Sequence, residues 1–465
     1  MARSRTPQRA KRHGAAAPHA GAPKVTPALR RVRLRRILWE TFTRLALAIA
    51  VIGLFHVLQA VPQIRATVEY SYDWLQTRLT PVAKAAANIV VVDVSDIPTV
   101  SRAEDPGTQY TPRDRLLGVI TTIDRQGPAA IGIDIDFALD ESGEYFTPGD
   151  PVFLKNLIKL QTRTFVGVSR GLGAGPAEVL RDPAFTPLVT YVIRQNPDGF
   201  GPNPRMSEYA EIPYLNADGT PAADPWMVRS LAVALAGEPA AGSWPAWLVV
   251  RRTRQPIDAE TPGLAVHPYL VDFSPIDDFE RAAIPSAALP AMGPSLKDRI
   301  VLVGRASKGN WPTNLSDTFT VPGHRESAYP GVLLHACATY TLLNATLWQF
   351  TPAGSLVVDL GFSALVFIAL AAVALFYNSI VVQDVAVHRL NKLFTWAAVF
   401  GVFAIGLWFV NRTRLMWPDY VLVAGSLLLH SSLEQPDNPL RTVGRWLRQG
   451  WRAVALHRTE GGHSS

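Results

Sequence analysis

The sequence predicts an α/β domain, a largely parallel sheet flanked by helices, joined to four transmembrane α-helices. Three observations carry this. Near-continuous apolar runs such as IVVVDV and AAIGIDIDF suit strands covered on both faces. Strand-like and helix-like stretches alternate, which favours parallel pairing. Finally, one long apolar run lies near the amino end and three more crowd the carboxyl end.

Taken in chain order, the first element is a basic tail, 1–36. Twelve Lys and Arg face one acid in residues 1–44, whereas residues 62–352 carry 24 bases and 31 acids. The net charge of +7 therefore describes a basic tail on a mildly acidic body, and nucleic acid is not an expected partner. Residues 1–28 are rich in Ala, Pro, Arg and Lys without apolar period, a composition expected to stay disordered.

The first span is placed at 37–61. Arg30, Arg31, Arg33, Arg35 and Arg36 stand directly before it. A cleaved leader is disfavoured by the long basic region and by Leu58-Gln59-Ala60, which lacks a small residue at the first position of a cleavage site. An uncleaved anchor with a cytoplasmic amino terminus is expected. Further spans are placed at 353–377, 393–410 and 415–430, the last interrupted by Pro418. Trp348, Tyr377, Trp408, Trp417 and Tyr420 lie near their ends, as interfacial aromatics do. Four crossings put 62–352 outside and both termini inside. The tail, 431–465, then follows the positive-inside rule, and Leu440, Val443, Leu447, Trp451 and Val454 recur there at amphipathic-helix spacing. Partners expected on this basis are the lipid bilayer and a cytoplasmic or membrane signalling protein. His56 and Asp359 sit inside proposed spans, where an ionisable group either works between helices or is paired within the bundle.

In the outer domain, strands are expected at Asn88–Val94, Ala129–Phe137, Thr164–Val168, Tyr269–Phe273 and Arg299–Gly304. Helices are expected at Pro112–Gln126, Pro151–Gln161, Trp226–Ala236 and Gly331–Leu343. The stretch 170–225, dense in Pro, Gly and Asn, reads as loops. The single cysteine, Cys337, excludes an intrachain disulfide and a cysteine-cluster metal site.

Chemical motifs are sparse. Gly167-Val168-Ser169-Arg170-Gly171 has nucleophile-elbow spacing, but LGAGPAE follows where a helix must start. Asp272 with His324 or His335 could complete a triad only in chain order. Gly304 to Gly309 begins like a phosphate loop, yet Asn310 and Trp311 occupy the Lys and Ser/Thr positions. An acidic group is more promising. Asp93 and Asp96 close one strand and Asp134 and Asp136 another, and ligands bind at the carboxyl ends of parallel strands. Arg113 could reach the same mouth and offset charge. That set suits a small polar ligand or a divalent cation; the plainer alternative is that these aspartates hold loops. No cofactor is implied, and the metal question stays open.

These segments resemble the CHASE type 2 sensor family, the extracytoplasmic domains of bacterial receptor cyclases and kinases. The matching residues are Val90–Asp96, Thr111-Pro112-Arg113, Ile131–Phe137, then Ile300–Gly304, Asp317, Phe319, Pro322, Pro330-Gly331 and His335-Ala336, ending at Leu342-Leu343. The likeness covers about 68–430 and matches poorly over 170–260. It implies a sensor in a bacterial cytoplasmic membrane that detects a stimulus and signals through a partner. Only 35 residues follow position 430, too few for an output enzyme, so no activity of its own is expected. Within the late block, Gly304, Asp317, Pro330, Gly331 and His335 are expected to be structural, with a buried His335 bonded to the loop around Asp317. An exported hydrolase or metal-dependent enzyme, or an envelope assembly protein, is the alternative. Homo-oligomerisation is left open.

Overall fold

The computed structural model describes most of residues 49–101, 109–137, 147–168, 264–307, 329–344, 348–380 and 384–425. It also describes the shorter pieces 189–191, 205–212, 226–237, 247–250, 254–256 and 318–319, with scattered single positions elsewhere. Expectations for 1–34 and 426–465, and for Ser169, Asp317 and His324, fall outside the described residues.

Six parallel strands form the central sheet: β1 (Ile89–Asp93), β2 (Ala130–Asp136), β3 (Thr164–Val168), β4 (Val189–Tyr191), β5 (Ile284–Pro285) and β6 (Ile300–Gly304). Their order across the sheet is β5-β1-β6-β2-β3-β4. Alternate side chains bury on opposite faces, as pleating requires. Val90, Val92, Ile131, Ile133, Val301 and Val303 pack under α2 (Arg113–Asp124) and α3 (Asp150–Leu157). On the other face, Ile89, Val91, Ile300 and Leu302 pack under α4 (Leu231–Ala236), α5 (Ile276–Ala282) and α6 (Gly331–Asn344). Burial on both faces is why β1 and β6 read as unbroken apolar runs.

The order corrects one expectation, that the two strands ending in the acidic group lie side by side. The ends of β1 and β2 are not neighbours, because β6, late in sequence and buried along its whole length, inserts between them. A second correction concerns 170–225. That stretch supplies β4 and the strand Arg205–Ile212, which lies in an antiparallel sheet with Arg254–Pro256, Leu264–Leu270 and Trp226–Arg229. Glu208 and Glu211 are buried there, and Glu208 meets His267 Nδ1 at 3.1 Å, so paired polar residues hide the strand pattern. The expected helix Trp226–Ala236 divides into a strand and α4, whose start is capped by Ser230 accepting from Val233 N. The strand expected at Tyr269–Phe273 lies earlier, at Leu264–Leu270.

Among the described residues, further helices lie outside this layered core. The first, α1 (Pro62–Leu79), has too weak an apolar stripe to be read from sequence. It follows the apolar helical segment Ile49–Leu58. The others, α7 (Pro352–Ile380) and α8 (Asp384–Thr413), run 29 and 30 residues, and α8 begins nine residues before the expected span. Among the described residues, Trp396–Thr413 is the stretch long and apolar enough to cross a membrane by itself. Leu415–Met416, expected to open a fourth span, instead forms a short strand, and helix resumes at Tyr420.

Candidate functional site

At the carboxyl edge of the sheet, the predicted aspartates have separate surroundings. Asp93 ends β1 in register with Gly304 of β6. Its Oδ1 accepts from Ser95 N at 2.9 Å, Ser95 Oγ at 2.5 Å and Ala306 N at 2.9 Å, and Ser307 donates to Oδ2. Burial pushes this carboxyl up, but the Ser307, Ser95 and Ala306 donors outweigh it and hold Asp93 below its ordinary value. Arg305, also near Asp93, donates to Thr111 Oγ1 at 3.2 Å; burial lowers its pKa while Asp93 opposes that. Asp96 is exposed and accepts from Ser286 Oγ and Ala287 N at 2.7 and 2.8 Å, satisfying the start of the 3-10 turn Ser286–Ala291.

Asp134 flanks Gly304 from the β2 side, and its Oδ1 lies 3.5 Å from His335 Nε2. Asp136 closes β2, and its side chain is outside the described residues. Arg113 has described partners of its own. It is buried at the start of α2, donates through Nε to Asp150 Oδ1 at 2.5 Å and lies 4.4 Å over the Phe137 ring. The edge thus gathers Asp93, Arg305 and Thr111 near the Asp134–His335 pair. Sequence reading found Asp93, Asp134 and His335, but treated Arg305 only as part of a failed phosphate loop.

The late block packs as a unit. Tyr329–Pro330 pairs with Thr318–Phe319, and Gly331 launches α6, which is buried from Gly331 to Leu342. A Cβ on Gly304 would meet Val332 Cβ at 2.8 Å, so glycine lets α6 sit directly on the sheet. His335 is buried, as expected, and its described partner is Asp134. Burial raises the Cys337 thiol well above its ordinary range, leaving it a packing residue rather than a nucleophile. Near its far end, α6 ties to the chain beyond α1, where Ala83 N donates to Tyr340 Oη at 2.9 Å.

The α/β domain meets the helices through a small mixed sheet. Trp348–Phe350, just before α7, pairs antiparallel with Val249–Val250 and parallel with Leu415–Met416, just after α8. Thr351 N donates to Leu248 O at 3.0 Å and Thr351 Oγ1 to Trp247 O at 2.6 Å. A Cβ at Gly354 would collide with the Leu248 carbonyl oxygen. Tyr72 of α1 is buried with Val410, Trp417 and Tyr420. Beside this junction, the two ionisable groups singled out within spans meet: His56 Nε2 lies 2.8 Å from Asp359 Oδ2. Trp417 Nε1 donates to Asp359 Oδ1 at 2.6 Å.

A parallel α/β domain is thus joined to a helix pair through a shared sheet. The CHASE2 domain model matches residues 46–375, most of the chain, so the chain belongs to the CHASE2 family of extracytoplasmic sensor domains. No curated protein and no solved structure matches it.

Proposed function

We propose that the protein is a membrane-anchored extracytoplasmic sensor that passes a stimulus through its helices to a cytoplasmic or membrane partner, and that it has no turnover of its own. In this reading the chain crosses a bacterial cytoplasmic membrane four times, at 37–61, 353–377, 393–410 and from Tyr420 to about 430, with both termini inside and 62–352 outside. The observation that carries the reading is the junction sheet. Strand Val249–Val250 of the α/β domain is hydrogen-bonded to the segment that enters α7, so displacement in the domain is felt by the helix. Support for the receiving end is the charged edge around Asp93, Arg305, Asp134 and His335, which suits a small polar ligand or a divalent cation better than a lipid.

Topology is tested with a reporter active only outside the cytoplasm, which should work near Gly201 and fail after Ser465. A working fusion at Ser465 would mean an odd number of spans. Sensing is tested by melting the full-length protein in mild detergent against a panel of metabolites and metals. A ligand-dependent shift that Asp134→Asn abolishes supports the edge as the site. A flat panel with a destabilised variant makes these aspartates loop-holding residues.

A further inference from the structure

The two groups that sequence singled out within spans do not stand alone. His56, Asp359 and Asp419 each place one donor atom within 4.8 Å of the others. They come from three separate segments: the apolar helix Ile49–Leu58, α7, and the turn between the junction sheet and Tyr420. Asp359 and Asp419 are 1% and 4% exposed. Two carboxylates in one dry pocket facing one imidazole form an expensive arrangement for charge alone, and buried charges of this kind are paired or bind metal.

We propose that His56, Asp359 and Asp419 bind a divalent transition-metal ion at the end of the helix bundle that meets the α/β domain. Imidazole with carboxylate oxygens is a donor set suited to Zn²⁺ and its neighbours, and three protein ligands leave a further position open. His56 Nε2 and Asp359 Oδ2 already face each other at 2.8 Å, so little movement separates the hydrogen-bonded pair from two ligands of one ion.

The groups around them have the character of an orienting shell. Trp417 Nε1 fixes Asp359 through Oδ1, leaving Oδ2 toward the site. Ser355 Oγ donates to Asp419 Oδ2 and lies 3.5 Å from Asp359 Oδ2, bridging the carboxylates. A second observation is an unpartnered buried hydroxyl one helical turn from Asp359. Ser355, Asp359 and Ser363 recur at helical spacing on one buried stripe of α7, and Ser363 Oγ, on a residue 1% exposed, has no hydrogen-bond partner among the described residues. A solvent molecule carried by a metal is the kind of partner such a hydroxyl takes. Metal binding would pin the first apolar helix to the carboxyl-terminal bundle, and this does not depend on what the α/β domain senses.

The test uses untagged full-length protein in mild detergent, stripped with chelator, reloaded with Zn²⁺ alone and desalted. Wild type should retain about one Zn²⁺ per chain, with an X-ray absorption spectrum of one imidazole, oxygen ligands and no sulfur. His56→Gln, Asp359→Asn and Asp419→Asn should lose retention, while His267→Gln, remote from the site, should keep it. Ser355→Ala and Trp417→Phe remove only orienting groups and should weaken Zn²⁺ roughly 10–100-fold, which keeps the test open where a ligand variant fails to fold. A wild type that melts cooperatively yet retains no Zn²⁺ overturns the proposal. Equal retention by wild type and the His56→Gln and Asp359→Asn variants also overturns it, as does a spectrum dominated by several imidazoles.

Discussion

Arg113 is the sharpest point at which a binding role and a folding role diverge. Its side chain is 4% exposed and that of Asp150 2%, with Nε–Oδ1 at 2.5 Å. Asp150 also accepts from Thr147 N and Thr147 Oγ1 at 2.9 and 2.8 Å. The pair clamps the start of α2 to the start of α3, beneath the stacked rings of Phe137 and Phe153. Arg113→Met keeps most of the apolar stem and deletes the charge, leaving Asp150 buried without its cation. Breaking a buried pair from one side costs about 3–5 kcal/mol. For a domain of this size each kcal/mol moves the melting midpoint by about 2–4 °C, so the variant should melt roughly 6–20 °C lower. Full-length protein in mild detergent, followed by near-UV circular dichroism, is the assay. Arg113→Met/Asp150→Asn removes the stranded charge while Asn can still accept from Thr147, so it should recover more than half the loss. A single variant within about 2 °C of wild type, or a double variant no better than the single, would refute the clamp and return Arg113 to the ligand mouth.

Three further outcomes follow from the same geometry. Gly304→Ala should push α6 off the sheet against Val332 and lower stability by about 1–3 kcal/mol, read by the same melts. Asp93, with its folded-state pKa depressed below 3.8, contributes stability that is full above the unfolded value and is lost as pH falls through the folded one. Acid melts of Asp93→Asn should therefore lie below wild type near neutrality and converge with it at low pH; a constant gap would contradict the assignment. Gly354→Ala should displace the start of α7 from Leu248, so hydrogen exchange should quicken at Val249–Val250 and Trp348–Phe350 while the central sheet stays protected.

What sequence reveals here tracks how locally each feature is determined. β1, β3 and β6 were legible because strands covered on both faces must be apolar throughout. Arg205–Ile212 was not, since buried Glu208 interrupts its apolar pattern and is paired with His267, 59 residues away. Strand order was equally hidden: nothing in β1 or β2 announces that β6 will lie between them. For the candidate sites, carboxylates at strand ends were readable as a class, but their partners were not. Asp93 bonds Ala306 and Ser307 across more than 200 residues, and Arg113 pairs with Asp150. Asp359 and His56 stood out as ionisable groups in apolar runs. Asp419, in the segment placed as a fourth span, was not singled out with them.

The position of α6 gives the sensor reading its physical route. One end touches the charged edge through His335 to Asp134 and through Val332 against Gly304. Nearer the other end, Tyr340 accepts from Ala83, which follows α1, and Thr341 accepts from Asp272 N at 2.9 Å. Every residue between is buried, so close packing would carry a displacement along α6 rather than absorb it in loose side chains. Beyond it, the chain passes through Trp348–Phe350 into α7, while α1 leans on Trp417 and Tyr420 through Tyr72. In the proposed sensor, a shift of α6 would therefore reach the helices at two places, through α1 and through the strand before α7. Both converge beside His56, Asp359 and Asp419, where three segments are already tied by hydrogen bonds. A polar tie at that convergence can hold two arrangements of the bundle apart, and two discrete arrangements are what a signal needs if it is to travel farther than an elastic strain.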